Sequence, residues 1–437
     1  MMTAKSTASG LTRRLGIPPS LAWGYLGVLF FMTGDGVESN YLAPYIADAG
    51  FGEQRAAIMI TAYGVTVAVG SILAGAMSAW CGPYFTMMVG GITWAVFEVC
   101  FLTFGLLSGN YIVVIASYTL RGIAYPLFAY AFLVWLTRAT PIHERGAATG
   151  WFWAAYTAGL PILGSLIASG SILVIGGYAT FWLSLVLVVL GTCFALFGIK
   201  DRGGREPFAE DGASLFALTF RSVSTLWRFP KIGMGAAVRV ISTAPQIGSF
   251  VFLPFFFTET IGLSISEYLV TVTLLYTAAM LFCTVTGKMG DVLGWRNMTI
   301  YGGSLASAAG FLILYYGSIA AGPNLWLCAL SCVVLAFGLA GFVPLTVLIP
   351  AMKGGEDDGT GIGVYCFSAG LAAFVGPALV SVLRPFMDVE GMIWCFAALY
   401  VFAAVLSYFL RSPLDPGEVR TAARRTPAET PVQPISI

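Results

Sequence analysis

Four ionisable side chains stand where this apolar chain has least use for them. Asp35 and Glu38 lie in the stretch MTGDGVESNY (32–41), and a spacing of three puts them on one helix face, about 4.5 Å apart along the axis. Glu98 and Arg121 lie inside two further apolar runs. Asp35 and Glu38 are eleven and eight residues from the end of their run at Ile46, and Arg121 is ten from the start of its own at Tyr111. At 1.5 Å per residue the three share a depth of roughly 15 Å. In lipid an unpaired charge at that depth costs about 2.5–3.5 kcal/mol, so the three should face inward and find one another. Two carboxylates opposite one arginine cannot both be compensated, so one is expected to take up and release a proton. That is the electrostatic requirement of a proton-coupled carrier, with Asp35 or Glu38 holding the proton and Arg121 as its alternating partner. The alternative is a static ion pair that pins two helices together. Glu98 has Arg121 as the one basic residue within reach in its half; it joins the network or stays protonated against a neighbouring helix. Gly34 and Gly36 flank Asp35 and would ease a bend or a close helix contact.

What positions these residues follows from composition. Of 437 residues, 58% are hydrophobic and 10% charged, more apolar surface than a soluble core can hide, so lipid is the solvent for much of the chain. A hydrocarbon core of about 30 Å needs roughly 20 apolar residues per helical crossing. About twelve such stretches occur, near 21–46, 56–80, 85–108, 111–137, 147–173, 177–199, 232–257, 266–289, 298–319, 325–350, 360–384 and 392–410. The first run is too long for a signal-peptide core and no small-residue cleavage site follows it. With the N-terminus inside, 18 of the 22 Lys and Arg residues fall on the cytoplasmic side, as the positive-inside rule requires. Arg55 and Arg384 fall outside, and Arg121 and Arg239 lie within spans. The expected architecture is therefore all-α, with twelve transmembrane helices in two six-helix bundles and both termini cytoplasmic. Its parts are an N-terminal bundle (1–199), a basic cytoplasmic linker (200–231), a C-terminal bundle (232–411) and a proline-rich tail (412–437) expected to be disordered. The eight cysteines lie in or beside apolar runs without metal or redox spacing and read as packing residues.

An internal repeat supports two halves. Gly75, Gly82 and Glu144 have counterparts 212 positions later in Gly287, Gly294 and Glu356, and parallel six-span repeats are a transporter architecture. The segment GKMGDVLGWR (287–296), with Gly287, Asp291, Gly294 and Arg296 in place, resembles the cytoplasmic loop signature of the major facilitator superfamily. Asp291 at a helix end can hold Arg296 or the exposed end of a neighbouring helix. The first-half copy, GAMSAWCGPY, keeps Gly75 and Gly82 but has Ala79 in place of the aspartate, which shifts the inner-gate role to the second copy. Arg121, in LRGIAYP, falls where that superfamily often has an arginine in span 4. GIPPSLAWGYLGVLFFMTGDGVESNYLAPYI with AYGVTVAVGSILAG is similar to the polyol permease branch, which includes ribitol and D-arabinitol transporters; the resemblance implies proton-coupled uptake.

A polyol site should combine carboxylates, amides and arginine with aromatic faces over the C–H edges. At matching depths the chain offers Asp35, Glu38, Asn40, Tyr41, Tyr63, Arg121, Tyr125, Trp153, Tyr156, Gln246, Tyr276 and Tyr365. Ordinary packing competes with this reading for each aromatic, whereas a mid-span amide such as Gln246 needs a partner. Arg239, about seven residues from the inner end of span 7, is expected to snorkel to the cytoplasmic surface. His143, the single histidine, sits in the 4–5 loop and reads as a gate contact.

No HExxH, Walker A or His/Cys metal cluster is present, which argues against an enzyme or an ATP-driven pump; no cofactor and no nucleic acid partner is expected. The reading is a monomeric inner-membrane importer of a sugar alcohol by proton symport and alternating access, its partners the solute, protons and the lipid bilayer. Its rivals are proton-coupled efflux, weakened by the partial Gly-Pro motif at Gly159-Leu160-Pro161, proton symport of a sugar, uptake of an organic anion such as a dicarboxylate through Arg121 and Arg239, and a sensor without flux.

Overall fold

The computed structural model describes residues 17–39, 41–209, 212–250, 252–353 and 360–419. Among them there is no strand; the chain is a succession of helices. In lipid each helix satisfies its own backbone polar groups, which is why the apolar runs take no other form. In chain order the long helices are α1 (Ala22–Ser39), α2 (Glu53–Cys81), α3 (Pro83–Leu106), α4 (Tyr111–Ala139), α5 (Ile142–Ile175) and α6 (Gly177–Gly198). The second half continues with α7 (Pro230–Ser249), α8 (Ile265–Leu293), α9 (Trp295–Ala321), α10 (Leu325–Ala351), α11 (Thr360–Leu383) and α12 (Val389–Tyr408). Among the described residues ten helices are long and apolar enough to cross a membrane, and eleven if α7 and its continuation Leu253–Thr260, bent by 45°, form one crossing. Helix α1, which carries Asp35 and Glu38, is not among them; the expected twelve include it.

The two halves repeat one pattern of packing. Helix α1 lies along α6 and α5, α3 along α4, and α2 along α4; α7 lies likewise along α12 and α11, α9 along α10, and α8 along α10. The turns repeat as well. Gly50 and Gly262, and Gly82 and Gly294, pair 212 positions apart with positive φ, a conformation that glycine adopts without a steric penalty. Asn110 caps α4 through Ile112 N and Val113 N, and Asn324 caps α10 through Trp326 N and Leu327 N. The halves meet along two seams, α5 on α8 and α2 on α11.

At the end carrying the basic loops, the first seam is closed by backbone contact. A Cβ on Gly146 would lie 2.5 Å from the Gly287 carbonyl oxygen. The Asp291 carboxylate accepts hydrogen bonds from Gly146 N (2.9 Å) and Ala147 N (2.8 Å), so it holds the exposed end of a neighbouring helix, where a negative charge is favourable. Arg296 is turned away from it and pairs with Glu418 at 2.6 Å. In the second seam Ala76 and Ala79 pack against Leu218 of a helix within the linker, Leu215–Arg228. Gly75 is buried beside them.

Residues 412–419 depart from the tail expectation. Ser412 Oγ donates to the Ala351 carbonyl at 2.8 Å, and Asp415, 1% exposed, accepts from Trp295 N (3.2 Å) and Arg296 N (2.8 Å). A buried aspartate caps the start of α9, and this fastens the strand of chain that composition alone marked as disordered. Residues 420–437 lie outside the described residues, as do Asn40 and Glu356.

Candidate functional site

Asp35 and Glu38 share a face of α1, while Trp94 and Glu98 share a face of α3 four residues apart. The two helices present these pairs one turn apart, so the lower members meet and the upper members meet. Trp94 Nε1 donates to Asp35 Oδ1 at 3.1 Å. The Arg121 guanidinium is shared between Glu38 and Glu98. With Glu38 it is bidentate: Nη1 donates to Oε2 and Nη2 to Oε1, each at 2.6 Å, the geometry that gives arginine–carboxylate pairs their strength. Glu38 and Glu98 are 0% exposed, Arg121 1% and Asp35 5%.

Local sequence explains the placement. Arg121 ends the first segment of α4, where a cation meets the negative end of the helix dipole. Its guanidinium lies over the rings of Trp94 and Tyr118, 4.5 Å and 4.6 Å from their centroids, and such faces attract a desolvated cation. The opposite face of α1 is opened by glycine. A Cβ on Gly34 would lie 2.7 Å from the Ser184 carbonyl of α6, and one on Gly36 would run into the Leu160 carbonyl of α5. Of the two expectations for these glycines, close contact is what the fold uses, and it turns the carboxylates towards α3 and α4.

The three acids therefore differ. Glu38 has both oxygens on Arg121. Asp35 is held by an indole. Glu98 has one oxygen on Arg121, and its Oε1 has no hydrogen-bond partner. Three buried carboxyls face one buried guanidinium, so full ionisation would leave two charges without compensation, a state that a low-dielectric interior does not support.

A second cluster lies in the other half. Arg239 does not snorkel. Its Nη1 donates to Thr243 Oγ1 at 2.6 Å, and its guanidinium sits 4.5 Å from the Tyr365 ring centroid and 5.6 Å from that of Trp153. Hydroxyls one helical turn along α7 and the ring faces hold it inside the bundle, where the surface route would forfeit both. Among the described residues no carboxylate pairs with it, and its buried Nε has no hydrogen-bond partner. Trp153 Nε1 donates to Thr346 Oγ1 at 3.1 Å, and Trp153 lies 5.3 Å from Tyr156 and 6.2 Å from Tyr365, ring to ring. Thr346 also lines a cleft of about 530 Å³ between the halves at the basic end, with Arg138, Arg145 and Ile362. Tyr156 is packed against Trp153 and against Phe152, 6.2 Å away ring to ring, on α5 beside this second cluster.

The remaining expected residues divide. Tyr63 stacks at 4.6 Å on Tyr118, the ring that lies against Arg121, and Tyr125 meets Tyr130 edge-on at 6.1 Å. Gln246 Nε2 donates to the Tyr276 hydroxyl at 3.2 Å, the partner that a mid-span amide needs. Tyr41, just past the end of α1, donates its hydroxyl to the Gly177 carbonyl at 2.6 Å and stacks its ring on Phe181, which packs that end of the helix against α6. His143 is 73% exposed and lies 3.7 Å from Glu144. Trp94, Tyr118, Tyr130, Thr243 and Thr346 went unselected in the sequence. Helical spacing was the available signal for the first two, since Trp94 is four residues before Glu98 and Tyr118 three before Arg121.

Residues 24–377 match the family model described as Major Facilitator Superfamily. The chain is 33% identical over 423 residues to the alpha-ketoglutarate permease of Bacillus subtilis (strain 168), covering 97% of this chain and 96% of that protein. It is 34% identical over 406 residues to the D-arabinitol transporter of Klebsiella pneumoniae, covering 91% and 93%. Among solved structures, the proton:xylose symporter XylE bound to 6-bromo-6-deoxy-D-glucose is similar with a TM-score of 0.69 at 16% identity, covering 90% of this chain and 95% of that one. At that identity the likeness is one of fold.

Proposed function

The chain belongs to the major facilitator superfamily, whose members are multi-pass membrane transporters and not enzymes, and on that premise we propose that it imports a pentitol such as ribitol or arabinitol by proton symport across a bacterial inner membrane. The observation that carries the reading is the shared guanidinium: one Arg121 serving Glu38 and Glu98, with Asp35 a turn away on Trp94. Among the acids, Glu98 is the proton carrier, because one of its oxygens is unpartnered and the other competes with Glu38 for the same cation. Protonation releases Arg121 wholly to Glu38, and deprotonation returns it to both. Each change alters what Asp35, Tyr63 and Tyr156 present to a solute hydroxyl. The two bundles then rock about the seams α5–α8 and α2–α11, the alternating-access motion of such repeats.

A second reading has its own observation. Arg239, without a carboxylate partner among the described residues and set under two aromatic rings, suits an organic anion, and one relative is named for a dicarboxylate. Purified protein in proteoliposomes holding a pH-sensitive dye separates the two. Proton influx on addition of ribitol, arabinitol or xylitol establishes polyol symport; silence with every polyol and a response to 2-oxoglutarate replaces it with anion symport.

A further inference from the structure

The linker helix Leu215–Arg228 starts at a Ser214 cap, whose Oγ accepts from Ala217 N at 3.2 Å. Its faces are sharply divided. Leu218 and Thr225 are 2% and 3% exposed, and Leu218 packs on Ala76 and Ala79 of α2. Phe216, Phe220 and Trp227, at 82%, 66% and 84% exposure, fall within about 40° of one another at 3.6 residues per turn, on the side away from α2. Arg221 and Arg228 lie on the flank between these faces, and Lys231 follows in the first turn of α7. Three large aromatic side chains in one stripe would be a liability in water. Beside a row of cations they form the amphipathic pattern that lies in a bilayer interface.

Position adds a second, independent observation. The linker helix packs on both α2 and α11, one from each half. Phe208 N and Ala209 N both donate to the Ala79 carbonyl at 3.0 Å. Ala79 is where the repeat of Asp291 would fall, so among the described residues the aspartate clasp of the α5–α8 seam is not repeated from α2. The buried face of the linker helix, with Leu218 on Ala76 and Ala79, covers the α2–α11 seam.

We propose that the linker helix is a membrane-surface clasp that binds anionic phospholipid headgroups through Arg228 and Lys231, with Phe216, Phe220 and Trp227 in the acyl boundary, and so ties the α2–α11 seam to the charge of the inner leaflet. A leaflet with anionic headgroups attracts each nearby basic residue with roughly a fivefold gain in occupancy. The test uses the full chain in phosphatidylcholine vesicles with increasing phosphatidylglycerol. The chain has eleven tryptophans, so Trp227 is read as the emission difference between wild type and Trp227→Phe. That difference should be quenched by lipids brominated near the headgroup. Initial uptake should rise several-fold with phosphatidylglycerol, and Arg228→Gln with Lys231→Gln should flatten the rise while retaining uptake in neutral vesicles. Phe220→Ser, which touches no charge, should weaken the quenching of Trp227. Quenching by aqueous iodide in place of bromolipid, or a phosphatidylglycerol response unchanged in the double variant, overturns the proposal. The quenching arm needs no solute and stands apart from the identity of the transported molecule.

Discussion

Replacing Glu98 by Gln tests the proton site most directly. The guanidinium of Arg121 makes two bonds to Glu38 and one to Glu98, so the substitution removes one charge-assisted bond and leaves the bidentate pair. Such a bond contributes about 1.5–3 kcal/mol, and relief of the repulsion between Glu38 and Glu98 offsets part of that loss. The variant should therefore fold, with a small drop in melting temperature. Its transport should change in kind. A proton crossing 100 mV supplies about 2.3 kcal/mol, which at 1.4 kcal/mol per decade sustains about a 50-fold accumulation of a neutral solute. With a neutral amide fixed at position 98 the gradient cannot be used, and the inside-to-outside ratio should fall to one. Exchange of labelled for unlabelled solute, which needs no net proton movement, should persist. In wild type, uptake should fall as external pH rises, because loading from outside requires the protonated acid; in Glu98→Gln that slope should vanish. Undiminished accumulation with the wild-type pH profile would refute the assignment of the proton to Glu98, and the same result in Glu38→Gln and Asp35→Asn would remove the cluster from coupling altogether.

Three other outcomes follow from the geometry. Arg121→Gln leaves three buried carboxyls without a cation, and breaking a buried pair in this way costs about 3–5 kcal/mol; thermal melts in detergent should show a larger loss than for Glu38→Gln or Glu98→Gln. Arg239→Lys keeps the charge but loses the planar fork over Tyr365 and Trp153, so an anionic solute should lose affinity at least tenfold, measured as KM, whereas a polyol should be little affected. Asp415→Ala strands the backbone N–H groups of Trp295, Arg296 and Gly417, at about 1–3 kcal/mol for each that stays buried; the melting temperature should drop by several degrees, and a melt unchanged from wild type would show that the 412–419 strap carries no stability.

Much of the helical framework was legible because a lipid solvent leaves the backbone one local solution, and a hydropathy window reads where it is used. The repeat was legible for a similar reason: Gly82 and Gly294 occupy one backbone conformation that other residues avoid. Depth along a helix could also be counted, and it brought Asp35, Glu38 and Arg121 to one level. Rotation could not. Spacing says that Asp35 and Glu38 share a face, but which neighbour that face meets depends on how α1 sits against α3, α5 and α6, and Gly34 and Gly36 decide that by admitting two backbones on one side. So Trp94 rather than Arg121 holds Asp35, and Glu98 shares the arginine with Glu38. Arg239 was misread on the same account, since a long side chain near a helix end snorkels unless tertiary neighbours offer it more, and Tyr365, Trp153 and Thr243 do. Composition likewise marked 412–419 as disordered, because one buried aspartate finding the first two backbone donors of α9 is a matter of where that helix begins, not of the segment's own residues. What the chain's order determines by itself is local, the helices, their caps and their depths; which charges are partners is a distance between helices far apart in sequence, and it exists only once they are packed.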